Sequence, residues 1–375
     1  MKPTLKMICM SDSRQCNRGC AYCPSRGMPA KERLPLPDLR RVVDFFVDYT
    51  NRAAMRPREL FFVLNTLGEP ALGIENVLGV DDYVTHINKT GRCAVPAYFA
   101  LTSTNLTEVP DGLVQYVNRL GYLAVALHNR PATEFAARVG KFQGHVIVEG
   151  TDVIPKRPVN LFARYREILE HFDLAAMHPV RESVMTMDDA ALWADEFSEC
   201  LRTLTALPDA ELADFLAHLS FNDTILNALS MLNTGAEPCY RCSGGIDSLQ
   251  VTPELEFYPC LFTTTHPDLC MGGIEHGVNL DWCRRFEARR RAHARPECAS
   301  CDCRVACGGC CLDWARKDPL GDGYFSPTEC AYRRGLVKAV RGFMEHVKGR
   351  PPVMEALQKR FTLCNQEWQP KTKGE

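Results

Sequence analysis

The sequence has no apolar run approaching the roughly 18 residues that a bilayer-spanning helix needs. Its start, MKPTLKMICMSDSR, has no apolar core long enough for a secretory signal. An excess of charge is missing too. Lys and Arg number 44 and Asp and Glu 46, a formal net charge of −2, so no overall field draws the chain to nucleic acid or to an anionic membrane. The short run Arg289-Arg290-Arg291 reads as a solvated helix face. There is no internal repeat. These absences leave a cytoplasmic chain with neither membrane nor nucleic acid as its partner. Its 46% hydrophobic and 24% charged residues supply a sizeable core.

Cysteine breaks this ordinary balance. There are 19, of which six precede residue 230 and twelve fall between 239 and 330. Reducing thiol buffers oppose stable disulfides in the cytoplasm, so the clustering points to metal or iron–sulfur ligation. Buried thiols acting as small apolar residues account for Cys9, Cys93, Cys200 and Cys364. They do not account for CASCDCRVACGGCC at 298–311.

Two regions follow from the hydrophobic pattern. From residue 5 to about 185, β-rich runs alternate with amphipathic stretches: LKMICM, then a helix with Leu39, Val42, Val43, Phe46 and Tyr49 on one face, then ELFFVLNT, and so on to DLAAMHPV. Repeated β–α order implies a parallel sheet with helices outside, either a barrel or a doubly wound sheet. Residues 188–236 read as helices without strands. From 237 the pattern becomes short strands, Gly/Pro turns and cysteines, and 335–375 begins helical and ends polar.

Cys16, Cys20 and Cys23 lie directly after the first strand, in SDSRQCNRGCAYCPSRG. Three thiolates are too few for a closed tetrahedral zinc site, and the closest histidine in sequence is His86. The spacing suits a 4Fe–4S cube with one iron left open. Here the sequence resembles the radical S-adenosylmethionine (radical SAM) superfamily, whose signature is this Cys-x3-Cys-x2-Cys. Tyr22 stands at that family's aromatic position. NTLGEPAL resembles its Gly-Gly-Glu-Pro segment, with Leu67 for the first glycine and Gly68, Glu69 and Pro70 kept. The resemblance implies that Glu69 meets the ammonium of the methionine moiety. LTSTNLT resembles the segment near the cofactor ribose, which implies Thr104 and Asn105 as further cofactor contacts.

The cysteine-rich region is similar to the SPASM domain carried by many such enzymes, in Cys298-x2-Cys301-x5-Cys307-x3-Cys311 and a later Cys330. Cys242 leads into SLQVTPELEFYPC ending at Cys260, with Leu255 where the family has a hairpin glycine. The resemblance implies two auxiliary 4Fe–4S clusters beside the site-differentiated one. One would use Cys239, Cys242, Cys260 and Cys311, the other Cys298, Cys301, Cys307 and Cys330. Cys303 or Cys310 could swap register, and Cys270 could replace Cys239. Two zinc-ribbon sites are the competing reading of this half. The implied architecture is α/β: a partial (β/α)6 TIM-like barrel at 1–187, a helical bridge at 188–236, a SPASM domain at 237–345 and a tail at 346–375.

The resemblance implies reductive cleavage of S-adenosylmethionine to a 5′-deoxyadenosyl radical, which abstracts a hydrogen atom from substrate. Fully ligated auxiliary clusters favour oxidative outcomes, crosslinking or dehydrogenation, most often of a ribosomally made peptide. A dehydrogenase or epimerase acting on a small metabolite such as an aminoglycoside or sugar is the alternative. Epimerisation would need a hydrogen donor, and Cys93 is the spare thiol closest to the proposed face. A non-catalytic iron–sulfur carrier or a zinc-binding interaction protein would need no Gly-Glu-Pro segment. Sulfatase-maturating relatives carry an aspartate base directly after the hairpin cysteine. Leu261 stands there, which disfavours formylglycine formation. Partners implied are an electron donor such as flavodoxin or ferredoxin and, with 15 residues before Cys16, a leader bound either by a separate leader-peptide-binding protein or by the SPASM region. His128 and His178, near strand ends, are candidate substrate contacts.

Overall fold

A computed structural model describes residues 5–20, 22–26, 28–29, 31–64, 67–154, 159–179, 186–234, 242, 244–290 and 295–365. The chain forms two compact units, Met1–Tyr116 with Ser243–Arg290, and Val117–Cys242 with Arg291–Glu375.

The first unit starts as the β–α order requires. Strands β1 (Met7–Met10), β2 (Leu60–Leu64) and β3 (Ala97–Leu101) are parallel neighbours, joined through helices α1 (Leu36–Asn51) and α2 (Ile74–Thr90) and leading into α3 (Asp111–Leu120). Helix α1 buries Leu39, Val42, Val43, Phe46 and Val47, the stripe expected of a 3.6-residue period, while Tyr49 is only half-buried at its edge. The cysteine-rich segment then joins this sheet. Strand β7 (Ser248–Val251) pairs in parallel with β1, and β8 (Glu256–Tyr258), β9 (Gly272–Gly273) and β10 (Gly277–Val278) continue antiparallel, before α9 (Leu280–Arg290). Leu255, in the family's glycine position, closes the β7–β8 turn at φ +63°. It adopts the left-handed backbone that a glycine would take without strain.

In the second unit β4 (Tyr122–Ala126), β5 (Ile147–Ile154) and β6 (Leu174–Pro179) form a parallel sheet with α4 (Thr133–Val139) and α5 (Leu161–Leu169) between them. Three helices follow, α6 (Met187–Thr205), α7 (Asp209–Ala217) and α8 (Thr224–Thr234), then the short α10 (Pro296–Ala299), α11 (Arg304–Cys307) and α12 (Leu312–Lys317). Helix α13 (Pro327–Val347) packs on α6 through Trp193, Phe197, Trp314 and Tyr332, with ring centroids 5.6–6.1 Å apart.

Within the stretch read as a tail, residues 351–365 form helix α14 (Pro351–Asn365), and its polar end at 366–375 lies outside the described residues. Val353, Leu357 and Phe361 recur every four residues and are buried, and Arg350 ties the helix start to Asp209 at 2.6 Å. The sequence count of six β/α units, strands β1 to β6 each followed by helix, is met.

Candidate functional site

The loop that follows β1 carries the three cysteines, and the buried Asp12 ties its beginning to its end. Asp12, wholly buried, accepts Arg33 Nη1 at 2.5 Å and Asn76 Nδ2 at 2.8 Å, while its carbonyl accepts Leu34 N–H at 2.8 Å. Arg14 donates to both oxygens of Glu254 at 2.6 and 2.5 Å, so the β7–β8 turn that Leu255 closes also grips this loop. Neither Asp12 nor Glu254 was singled out in the sequence, where each is one carboxylate among 46. The one available signal was the position of Asp12, directly behind a buried strand.

The Leu-Gly-Glu-Pro segment docks against the backbone of the same loop. Leu67 N–H donates to Ser11 Oγ at 3.0 Å, Ser25 Oγ donates to Leu67 O at 2.7 Å, and Glu69 N–H donates to Gln15 O at 2.9 Å. Gly68 is required by this approach, because a Cβ there would lie 2.8 Å from Gln15 O and 3.3 Å from Ser13 O. Both obstacles are backbone. Gly68→Ala is therefore expected to push the two loops apart at a cost of about 1–3 kcal/mol, the usual range for overpacking. Thermal unfolding and protease cleavage within residues 11–35 would read this out, and wild-type behaviour in both would show that the loops need not touch.

Glu69 is the centre of the arrangement. It is 3% exposed, and Thr104 Oγ1 and Ala71 N–H donate to Oε1 at 2.5 and 3.1 Å, while Asn105 N–H donates to Oε2 at 2.8 Å. Burial raises its pKa, and these donors work against the rise. A carboxylate offers about four lone-pair sites, so three bound donors leave room for one more. Thr104 is wholly buried and its hydroxyl is engaged by Glu69. Its hydroxyl orients that carboxylate. Asn105 reaches the cysteines, its Nδ2 lying 3.6 Å from Cys16 Sγ and 2.9 Å from Asn17 Oδ1. Pro70, buried, opens the short turn Pro70–Gly73 after Glu69.

The thiols are free and Tyr22 hydrogen-bonds Cys20. Cys16 and Cys20 have raised pKa values, through burial first. For Cys16 the negative charges of Glu69, Cys23 and Cys20 add to the rise, and for Cys20 that of Cys23 does. Three thiols beside a buried carboxylate form a donor set that a cationic occupant would stabilise as thiolates. Among the described residues, the one set of donors all within 4.8 Å of one another is Cys301, Asp302 and Cys303. Three thiolates are one ligand short of a closed tetrahedral zinc site. The donor set fits an iron–sulfur cube better than a single ion.

In the second unit Cys298, Cys301, Cys307 and Cys330 line one pocket with Cys303, Cys310 and Arg334. Cys330 is pushed up to about 11 by burial and by the charges of Cys307, Cys301 and Cys298. Cys303, pushed up to about 12 by burial, donates to Asp302 Oδ1 at 3.4 Å, and Cys310 donates to Ser326 O at 3.7 Å. Of the other implied set, Cys239 lies outside the described residues, Cys260 belongs to the first unit, and Cys242 and Cys311 belong to the second. Cys270 donates to Gly272 O at 3.3 Å. Cys93 lies between α2 and β3, at the amino end of that strand, and so away from the strand ends that carry the triad and Glu69. His178 is the next-to-last residue of β6, in register with Val153. His128, just past β4, has φ +58° and Asn129 φ +61°, a strained pair held by Asn129 N–H donating to Asp152 Oδ1 at 2.7 Å.

Among the described residues no helix is long and apolar enough to cross a membrane. No family model matches the chain, and no curated protein matches it. Solved structures do. Polyhistidine-tagged anSMEcpe with bound AdoMet is 13% identical, with a TM-score of 0.66 over 96% of this chain and 98% of that one. Native anSMEcpe with bound AdoMet and Cp18Cys peptide is 14% identical, with a TM-score of 0.65 over 94% and 99%. Streptococcus suis SuiB bound to precursor peptide SuiA is 13% identical, with a TM-score of 0.55 over 87% and 76%. The chain shares the fold of these proteins. At such identity the likeness carries architecture, and the chemistry has to be argued from the site.

Proposed function

We propose that this chain is a radical SAM enzyme with SPASM-type auxiliary clusters that oxidatively modifies a ribosomally made peptide. One observation carries the reading. Cys16, Cys20 and Cys23 follow β1, Gly68 and Glu69 follow β2, and Thr104 and Asn105 follow β3, so that three successive strand ends converge on one thiol-and-carboxylate site. Sites of α/β folds are built at these strand ends. Cys16, Cys20 and Cys23 would hold a 4Fe–4S cluster with one open iron. When bound, that group supplies the electron that cleaves S-adenosylmethionine, and the radical so formed takes a hydrogen atom from substrate.

The chain's own residues do the positioning. Glu69 offers its remaining lone pair to the methionine ammonium, and Thr104, Asn105 and Ala71 keep the carboxylate oriented. Asn105 donates toward a ligand sulfur. Cys298, Cys301, Cys307 and Cys330 would hold one auxiliary cluster, and Cys239, Cys242, Cys260 and Cys311 another. A peptide substrate draws support from the Cp18Cys and SuiA peptides bound to the neighbours of this fold. An acceptor and donor of single electrons, a flavodoxin or ferredoxin, completes the system in the cytoplasm.

Glu69→Gln tests this reading. The amide removes the charge facing the ammonium. Whichever way it turns, its NH2 faces a backbone N–H, of Asn105 or of Ala71, that lost its acceptor. Loss of a charge-assisted hydrogen bond of about 1.5–3 kcal/mol predicts S-adenosylmethionine binding weakened about ten- to a hundredfold, with iron content normal. Equal affinity by equilibrium dialysis would reduce the segment to a turn.

A further inference from the structure

Helix α13 carries two consecutive arginines whose charges have different fates. Arg333 is 5% exposed and donates Nε and Nη2 to Glu329 Oε1 at 2.9 and 2.7 Å. The other oxygen of Glu329 accepts Cys311 N–H at 2.6 Å. That charge is neutralised where it sits. Arg334 is different. It is exposed, its Nη2 lies 3.7 Å from Cys301 Sγ, and among the described residues no carboxylate pairs with it. The groups that feel its charge are Cys301, Cys330 and Cys303. It also lines the pocket shared by Cys298, Cys301, Cys307 and Cys330.

The other cations nearby are already engaged. Arg341 pairs with Asp302 at 2.9 Å, and Arg295 with Asp322 at 2.7 Å. Arg304, which lines the same pocket, donates to the Ala299 carbonyl at 2.6 Å. Lys338, one turn beyond Arg334, lines the open surface beside Cys301 and Cys303 but not the cysteine pocket itself. A guanidinium does not deprotonate in proteins, so Arg334 is a fixed positive charge placed on thiols.

We propose that Arg334 is a positioning residue that raises the reduction potential of the cluster held by Cys298, Cys301, Cys307 and Cys330. This rests on the function proposed above. One-electron reduction adds negative charge to the pocket and makes or breaks no bond. A fixed cation beside a ligand sulfur, donating an N–H to it, stabilises the more reduced form. The cluster is thereby biased toward accepting an electron, the direction that an oxidative outcome requires.

The test uses full-length protein, reconstituted anaerobically, with Cys16, Cys20 and Cys23 replaced by alanine so that only auxiliary signals remain. Midpoint potentials are read by electron paramagnetic resonance during titration with dithionite and mediators, with iron measured alongside. Arg334→Gln should keep its iron and move one auxiliary potential downward. Arg334→Lys should restore most of the shift, and Lys338→Gln should change nothing. Unmoved potentials in Arg334→Gln with full iron, or an equal shift in Arg334→Lys, would overturn the role of its charge. Iron lost from both Arg334 variants would make the residue a requirement for assembly and overturn the tuning role as well. If Arg334→Gln alone loses iron, Arg334→Lys with full iron and the parent potential supports the proposal. Zinc in place of iron in the parent protein would overturn the proposed function together with this inference.

Discussion

Anaerobically purified protein is expected to carry about twelve irons per chain, and the Cys16→Ala, Cys20→Ala, Cys23→Ala triple variant about eight. The expectation follows from eleven thiolates in three sets, each set sized for one 4Fe–4S cube. The first set is the firmest on geometry, because Asn105 Nδ2 reaches Cys16 Sγ and the charge of Glu69 is felt at that thiol. The set at 298, 301, 307 and 330 is next, since its four thiols line one pocket and the charges of Cys307 and Cys301 add to the raised pKa of Cys298 and Cys330. Zinc ribbons are the competitor in this half, and Cys301, Asp302 and Cys303 do gather within 4.8 Å. Asp302, however, is 80% exposed at its side chain and paired with Arg341. Cys303 keeps its proton up to about 12. Iron, sulfide and zinc analysis decides between them. A value near four irons, with zinc making up the remainder, would remove the auxiliary clusters and leave the first intact.

The strand–helix series was legible because each element carries its own period. Leu39, Val42, Val43 and Phe46 mark a helix face without any tertiary knowledge, and LFFVL marks a strand, buried on one face and half-buried on the other. The cysteine triad was legible because its spacing is a local property. Long-range contacts were not. Nothing in SLQV announces that Ser248 will pair with Met7, 241 positions earlier, since strand partners are chosen by the assembled sheet. The same holds for Asp12, Glu254 and Thr104, whose work lies in holding other residues. A threonine after a strand reads as an ordinary polar strand end until Glu69 is seen 2.5 Å from its hydroxyl. Leu255 shows the converse. Judged by residue type it departs from the expected glycine, yet its backbone takes the glycine conformation. Helix α14 was missed because its apolar residues, Val353, Leu357 and Phe361, are sparse in a polar segment, and they become a stripe only against α7 and α8.

Reductant and S-adenosylmethionine, without any substrate, are expected to yield 5′-deoxyadenosine slowly from wild type and not at all from Cys20→Ala. The same cleavage should survive in the Cys298→Ala, Cys301→Ala double variant, while turnover of a true substrate is lost. The argument rests on where each set of ligands sits. Cys20 belongs to the loop between β1 and α1, in the first unit, and everything that orients Glu69 is in that unit as well. Cys298 and Cys301 sit at α10 and just beyond it, in the second unit, on short elements that offer little packing of their own. Metal–thiolate bonds are folding energy for such segments, so removing two of four ligands should release one cluster and loosen residues 298–330 locally. The sheets β1–β2–β3 and β4–β5–β6 draw their stability from buried apolar side chains such as Phe62, Leu64, Val125 and Ala176, and keep it. Anaerobic chromatography of 5′-deoxyadenosine, with circular dichroism for fold, reads every arm. Cleavage persisting in Cys20→Ala would remove the radical SAM reading altogether. Cleavage vanishing in the folded double variant would mean that the auxiliary thiolates govern cofactor cleavage as well as substrate oxidation.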